Sequence, residues 1–127
     1  MNTSVRLCGV ELKNPILTAS GTFGFGREYS EFYDVGRLGG IVGKGLTPLP
    51  REGNDGVRVA ETPSGMLNCV GLQNPGVEAF IRDELPFMRS LGCAVIANAA
   101  GSVLSDYQRM AERLSDTDVD MIELNIS

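Results

Sequence analysis

Ala94-Val95-Ile96-Ala97, closed by Asn98, and Met121-Ile122-Glu123-Leu124, closed by Asn125, are short, largely apolar runs that each end in an asparagine. Runs of this length without strict polar alternation predict buried strands of a parallel sheet. Residues 104–114 lie between them and place Tyr107, Met110, Ala111 and Leu114 on one face of an amphipathic helix. Asp106 falls in its first turn, where a negative charge favours the helix dipole. Upstream, Gly40-Ile41-Val42-Gly43 ends at Lys44, and Pro15-Ile16-Leu17-Thr18-Ala19 ends at Ser20-Gly21. Four buried strands are therefore expected, each closed by a residue able to reach a ligand: Ser20, Lys44, Asn98 and Asn125. Glu123 stands two residues before Asn125 and shares its inward side if alternation holds; its position suggests a buried structural partner.

The remaining segments fill in the connections. Residues 6–12 suggest a small hairpin around Gly9, and residues 27–33 a short helix with Tyr29, Phe32 and Tyr33 at helical spacing. Residues 57–70 read as irregular or hairpin-like. Residues 77–91 read as a helix that Pro86 breaks or kinks. Four β/α steps suit either a doubly wound open sheet or the first half of a (β/α)₈ barrel. Gly21-Thr22-Phe23-Gly24-Phe25-Gly26 lacks the GxGxxG spacing of the open-sheet dinucleotide folds. The four polar strand ends would converge at a barrel's C-terminal mouth. The fold class expected is thus α/β, a (β/α)₈ TIM barrel represented by about its first four units, with a long insertion after the second strand. A whole barrel needs ~250 residues, so about half is absent. Exposed strand edges should leave the 127-residue chain marginally stable, aggregating or oligomeric.

Composition narrows the chemistry. The chain is 43% hydrophobic and 21% charged, a globular balance, and its net charge of −5 argues against nucleic-acid binding. No apolar run approaches the ~20 residues of a membrane span, and Met1 to Lys13 show no signal-peptide pattern. Cys8, Cys69 and Cys93 are odd in number and widely spaced without a CxxC, which reads as a reduced, cytoplasmic protein with no metal site in this segment. Histidine is absent, so proton transfer falls to Cys, Lys, Asp, Glu or Tyr.

Lys44 between Gly43 and Gly45 is placed to face a ligand, with a solvated strand-end lysine as the alternative. An asparagine is donor and acceptor at once, which suits the edge of a heterocycle, although asparagine is also common in turns. The long stretch between Lys44 and Ala94 holds Ser64-Gly65-Met66-Leu67-Asn68-Cys69-Val70-Gly71-Leu72-Gln73-Asn74-Pro75-Gly76. Its glycines expose backbone N–H groups, which in succession can form an anion nest.

These segments taken in order resemble class 1B dihydroorotate dehydrogenase. They are Asn14-Pro15-Ile16, Ala19 through Gly26, Lys44-Gly45-Leu46-Thr47, Ser64 through Asn68, Gly71 through Gly76, Ala97-Asn98 with Gly101, and Glu123-Leu124-Asn125-Ile126-Ser127. The resemblance implies residues 1–127 of a single FMN-binding barrel domain that oxidises dihydroorotate to orotate in pyrimidine biosynthesis. Hydride would pass from C6 to FMN while a base takes a C5 proton. Electrons would continue to NAD through a partner subunit carrying FAD and a 2Fe–2S cluster, in a heterotetramer. Ser20, Lys44, Gly45, Asn98 and Asn125 match flavin-binding positions. Lys44, Asn68 and Asn125, with the Val70-Gly71-Leu72 backbone, match substrate-binding positions, the backbone holding the carboxylate.

The resemblance assigns no catalytic base within the chain and places a base cysteine just after Ser127; Cys69 does not match it and reads as a small loop residue. Asn54-Asp55-Gly56 departs from the proline-containing form of the family. Two other readings remain: a related flavin barrel acting on pyrimidine bases, and a non-catalytic fragment. Whether the purified chain is yellow separates the last from the others.

Overall fold

A computed structural model describes residues 2–127. Its centre is a three-stranded parallel sheet in the order β3-β6-β7, formed by β3 (Gly40–Val42), β6 (Ala94–Ala100) and β7 (Met121–Asn125). Two antiparallel hairpins flank it. One pairs β1 (Val5–Leu7) with β2 (Val10–Leu12), and the other pairs β4 (Val59–Thr62) with β5 (Gly65–Asn68). The first hairpin turns through Cys8 and Gly9, both at positive φ (48° and 84°), the geometry that matches the twist of a two-residue hairpin.

The sheet has two unlike faces. Ile41, Val95, Ala97 and Ala99 pack with Phe80, Met88, Met110 and Leu114 into the apolar core beneath the helices. Strand alternation and the pairings Ile96↔Met121 and Asn98↔Glu123 put Val42, Ile96, Asn98, Glu123 and Asn125 on the opposite face. The helix α4 (Leu104–Ser115) covers the core side with Met110 and Leu114 buried, the face read from its spacing. Asp106 reaches back from its first turn to accept from Ser102 N–H at 2.8 Å and Val103 N–H at 3.3 Å.

Several elements differ from the sequence expectation. Pro15-Ile16-Leu17-Thr18-Ala19 is not a regular strand. It runs beside β3 through one parallel bridge, Leu17↔Gly40. Pro15 has no N–H to give, and Thr18 uses its hydroxyl, which accepts from Val42 N–H at 2.9 Å and lies 3.3 Å from Val42 O. Four regular parallel strands were expected and three are present, and the described residues form no closed barrel. The first helix is shorter than residues 27–33: α1 spans Arg27–Ser30. Phe32 is 82% exposed and Tyr29 stacks on Phe23 with centroids 4.1 Å apart, so no buried face extends the helix.

Pro86 does not end the helical stretch; it stands in the first turn of a new α-helical segment. The chain passes from α2 (Val77–Ala79) through a π-helical stretch, Phe80–Glu84, into α3 (Leu85–Ser90). The widened turn comes just before Pro86, which has no N–H for the α-helical ladder. β6 is also longer than expected, so Asn98 lies inside the strand and does not close it.

Candidate active site

The polar positions gather where β3 gives way to a loop. From Val42↔Ile96 to Leu46↔Ala99 the register advances four residues along the first segment and three along β6. Gly43, Lys44 and Gly45 therefore form a bulge, a device that re-aims side chains beside binding sites. Gly43 and Leu46 keep the ladder, donating to Ile96 O at 3.1 Å and Asn98 O at 2.8 Å, while Lys44 N–H donates across to Gly24 O at 3.0 Å. The parallel register leaves Lys44 at the same end of the sheet as Asn98.

Gly45 lies against the face that carries the asparagines. A Cβ there would stand 2.8 Å from Asn98 Oδ1 and 2.9 Å from Leu72 Cδ1. Only a glycine leaves this floor open without shifting its neighbours. Asn98 is 2% exposed. Its Nδ2 donates to Glu123 Oε1, and its Oδ1 accepts from Asn125 Nδ2 at 3.2 Å. Asn125 is fixed at two further points: its backbone carbonyl accepts from Tyr107 OH at 2.6 Å, and its Oδ1 accepts from Ser127 N–H at 3.1 Å. Glu123 does face the same way as Asn125, but it is exposed, which corrects its expected burial.

The loop over this floor is built around Asn74. Its buried Oδ1 accepts from Thr47 N–H (3.1 Å) and Gly76 N–H (2.9 Å), and its Nδ2 donates to Leu72 O (2.8 Å) and Thr47 Oγ1 (3.0 Å). Asn54 holds the other side: its N–H donates to Val70 O at 3.0 Å and its Nδ2 to Cys69 O at 3.1 Å. Between them Gly71 (φ 76°) and Leu72 (φ 54°) take successive left-handed conformations. Positive φ strains a leucine. Among the described residues, no protein group accepts from the N–H of Val70, Gly71 or Leu72. Three such donors in sequence suit a carboxylate.

Two clefts adjoin this loop. One, of about 590 Å³, is lined by Lys44, Arg51 and Val70 among others; the second, of about 380 Å³, is lined by Arg51, Gly71, Leu72, Ala100, Asn125 and Ser127. The expected substrate positions Gly71, Leu72 and Asn125 thus come together, with Gly45 and Asn98 behind them and Lys44 in the neighbouring cleft. Ser20 sits in the turn from Ala19 to Thr22, where Thr22 N–H donates to Ala19 O at 3.3 Å. Asn68 ends β5, exposed and paired with Val59. Neither Ser20 nor Asn68 lines the two clefts.

Arg51 was not foreseen. Its backbone forms a two-way bridge with Asn74 (2.9 and 3.0 Å), and Arg51 lines both clefts. Only its position just after Pro48-Leu49-Pro50 signalled a constrained loop.

No cysteine lines either cleft. Cys69 is exposed with Sγ 3.0 Å from Asn54 Nδ2, and Cys8 lies in the hairpin turn. Cys93 lies just before β6, at the end of the sheet away from Asn98, and burial pushes its thiol up from the usual range. Among the described residues no group of three His, Cys, Asp or Glu side chains is placed to hold a metal ion.

Residues 2–127 match the family model described as dihydroorotate dehydrogenase. The chain belongs to the dihydroorotate dehydrogenase family. It is 54% identical over 127 residues to a protein of Petrotoga mobilis, and 58% over 127 residues to one of Thermoanaerobacter pseudethanolicus. It is 56% identical over 126 residues to one of Alkaliphilus oremlandii. Each of these is named dihydroorotate dehydrogenase B (NAD(+)), catalytic subunit. The matches take in 99–100% of this chain but 42% of each relative. Membership implies a TIM-barrel fold and a flavin. The donor set fits such a group: a floor kept open at Gly45, oriented amides at Asn98 and Asn125, and a lysine ammonium without a partner among the described residues. No helix among the described residues is long and apolar enough to cross a membrane.

Proposed function

We propose that residues 1–127 are the N-terminal part of one FMN-binding (β/α)₈ barrel domain, comprising about four β/α units, and that the complete protein oxidises dihydroorotate to orotate in the cytoplasm. The observation that carries this reading is the convergence of Gly45, Asn98, Asn125 and the Gly71–Leu72 loop on one site in a chain of this family. The chemistry that bound FMN would supply is that of an acceptor for the hydride leaving C6 of the substrate.

The chain's residues divide the remaining work. Ser20, Gly45, Asn98 and Asn125 hold the flavin. Lys44 would supply a positive charge beside the flavin and the substrate carboxylate. Asn125, with Asn68 from the end of β5, binds the pyrimidine edge, and the backbone N–H groups of residues 70–72 hold the carboxylate. No group within residues 1–127 serves as the C5 base; a cysteine following Ser127 fills that role. The name catalytic subunit carried by the relatives supports a partner: a subunit with FAD and a 2Fe–2S cluster that passes electrons to NAD in a heterotetramer.

The carboxylate separates this reading from a flavin barrel acting on pyrimidine bases. Orotate and uracil share the ring and differ by that group. In the full-length protein orotate should bind at least tenfold more tightly than uracil, because it adds charge-assisted hydrogen bonds worth about 1.5–3 kcal/mol. Equilibrium titration of both ligands is the check, and equal affinities would remove the carboxylate role from residues 70–72.

A further inference from the structure

Four polar side chains, those of Ser127, Asn125, Asn98 and Glu123, form one directed line at the open face of the sheet. Ser127 donates from its backbone N–H, and from Oγ at 2.5 Å, to Asn125 Oδ1; Asn125 Nδ2 donates to Asn98 Oδ1; Asn98 Nδ2 donates to Glu123 Oε1. An amide can be turned either way about its last bond. The two ends of this line cannot. A backbone N–H only donates, and an ionised carboxylate only accepts. With both ends fixed, each amide has a single orientation, and the Asn98 oxygen points toward Gly45, 2.8 Å from where a side chain there would begin. Asn98 keeps one N–H and one lone pair beyond these bonds, because an amide has two donors and two lone pairs.

Among the described residues, the Glu123 carboxylate accepts no other hydrogen bond. Its acceptor is also the charged member of the line, and charge-assisted bonds are about twice as strong as neutral ones. We infer that Glu123 is a positioning residue: its carboxylate holds the Asn98 amide in the one orientation that presents an acceptor oxygen beside Gly45. The ligand group this selects is an N–H donor on the edge of a planar heterocycle. The inference rests on the reading of Asn98 and Asn125 as flavin-binding residues.

Glu123→Gln is nearly isosteric and keeps the space filled while removing the obligatory, charged acceptor. The full-length protein should be compared with this variant by three measurements: the side-chain amide resonances of Asn98 and Asn125, the thermal midpoint of the apoprotein, and the dissociation constant for FMN. The expected result is an Asn98 Nδ2 proton resonance moved upfield, an apoprotein midpoint close to that of the unsubstituted protein, and an FMN dissociation constant raised about tenfold, or ~1.4 kcal/mol. An unmoved Asn98 resonance overturns the inference. So does a lowered midpoint with unchanged FMN affinity, which would make Glu123 a structural residue only. Unsubstituted protein that binds no FMN would overturn the flavin reading itself, and the inference with it.

Discussion

Replacing Lys44 with Ala in the full-length protein should lower turnover by about 10- to 100-fold while flavin content falls much less. The range follows from losing a charge-assisted contact of roughly 1.5–3 kcal/mol. Lys44 sits in the bulge between Gly43 and Gly45, anchored by its backbone to Gly24, and lines the cleft with Val70 and Arg51. An ammonium in that cleft stabilises negative charge that develops nearby, so its effect falls on the reduced state more than on the oxidised one. Flavin retention comes from several amides and backbone groups at once and should survive the loss of one. The comparison is flavin absorbance per protein against the rate of dihydroorotate oxidation. Equal proportional losses would mean that Lys44 only binds cofactor.

Asn74→Ala should lower the unfolding free energy of the full-length protein by about 3 kcal/mol and weaken orotate binding as well. Asn74 is 5% exposed and lies outside both asparagines assigned to the flavin. Truncation leaves the N–H groups of Thr47 and Gly76 and the carbonyl of Leu72 without their partner in a buried place, and each such orphan costs about 1–3 kcal/mol before relaxation. The bond from Asn74 Nδ2 to Leu72 O ties down the loop at the strained Leu72, so the carboxylate loop should loosen together with the fold. Asn74→Asp keeps the acceptor and should fall between the two. Denaturant unfolding and orotate titration measure both effects. A loss under ~0.5 kcal/mol, the range of an ordinary surface change, would contradict the role given to Asn74.

The sequence carried the sheet wherever burial on both faces set the pattern. Ala94–Ala97 read correctly because a central strand has no other use for consecutive apolar residues; Met121–Leu124 forms the edge strand beside it, with Glu123 and Leu124 exposed. Pro15–Ala19 has the same appearance but runs along the sheet's outer side, where the Thr18 hydroxyl replaces backbone pairing; periodicity does not register that exchange. The π-helical stretch before Pro86 was out of reach for a similar reason. Sequence shows that a proline removes a donor, and only the packing of Phe80 and Met88 decides whether the helix stops or widens.

Within the site, Lys44, Gly45, Asn98 and Asn125 were recognisable as polar or small residues beside strand ends, although Asn98 proved to be interior to β6. The link between Asn98 and Glu123 depends on the β6–β7 register, which lies in no single segment. Arg51 was invisible because its importance comes from Asn74, twenty-three residues later, which fastens the Arg51 backbone beside both clefts.

The central claim is that these residues assemble a flavin site that oxidises dihydroorotate. Its most direct test is anaerobic mixing of the full-length, FMN-loaded protein with dihydroorotate while flavin absorbance is followed. The account predicts prompt bleaching of the oxidised flavin with formation of orotate, and no bleaching by dihydroorotate when the 127-residue chain is mixed with FMN alone. A full-length protein that holds FMN but is not bleached by dihydroorotate would contradict the assigned reaction. Bleaching at the full enzyme's rate by the 127-residue chain would show that the base lies within these residues.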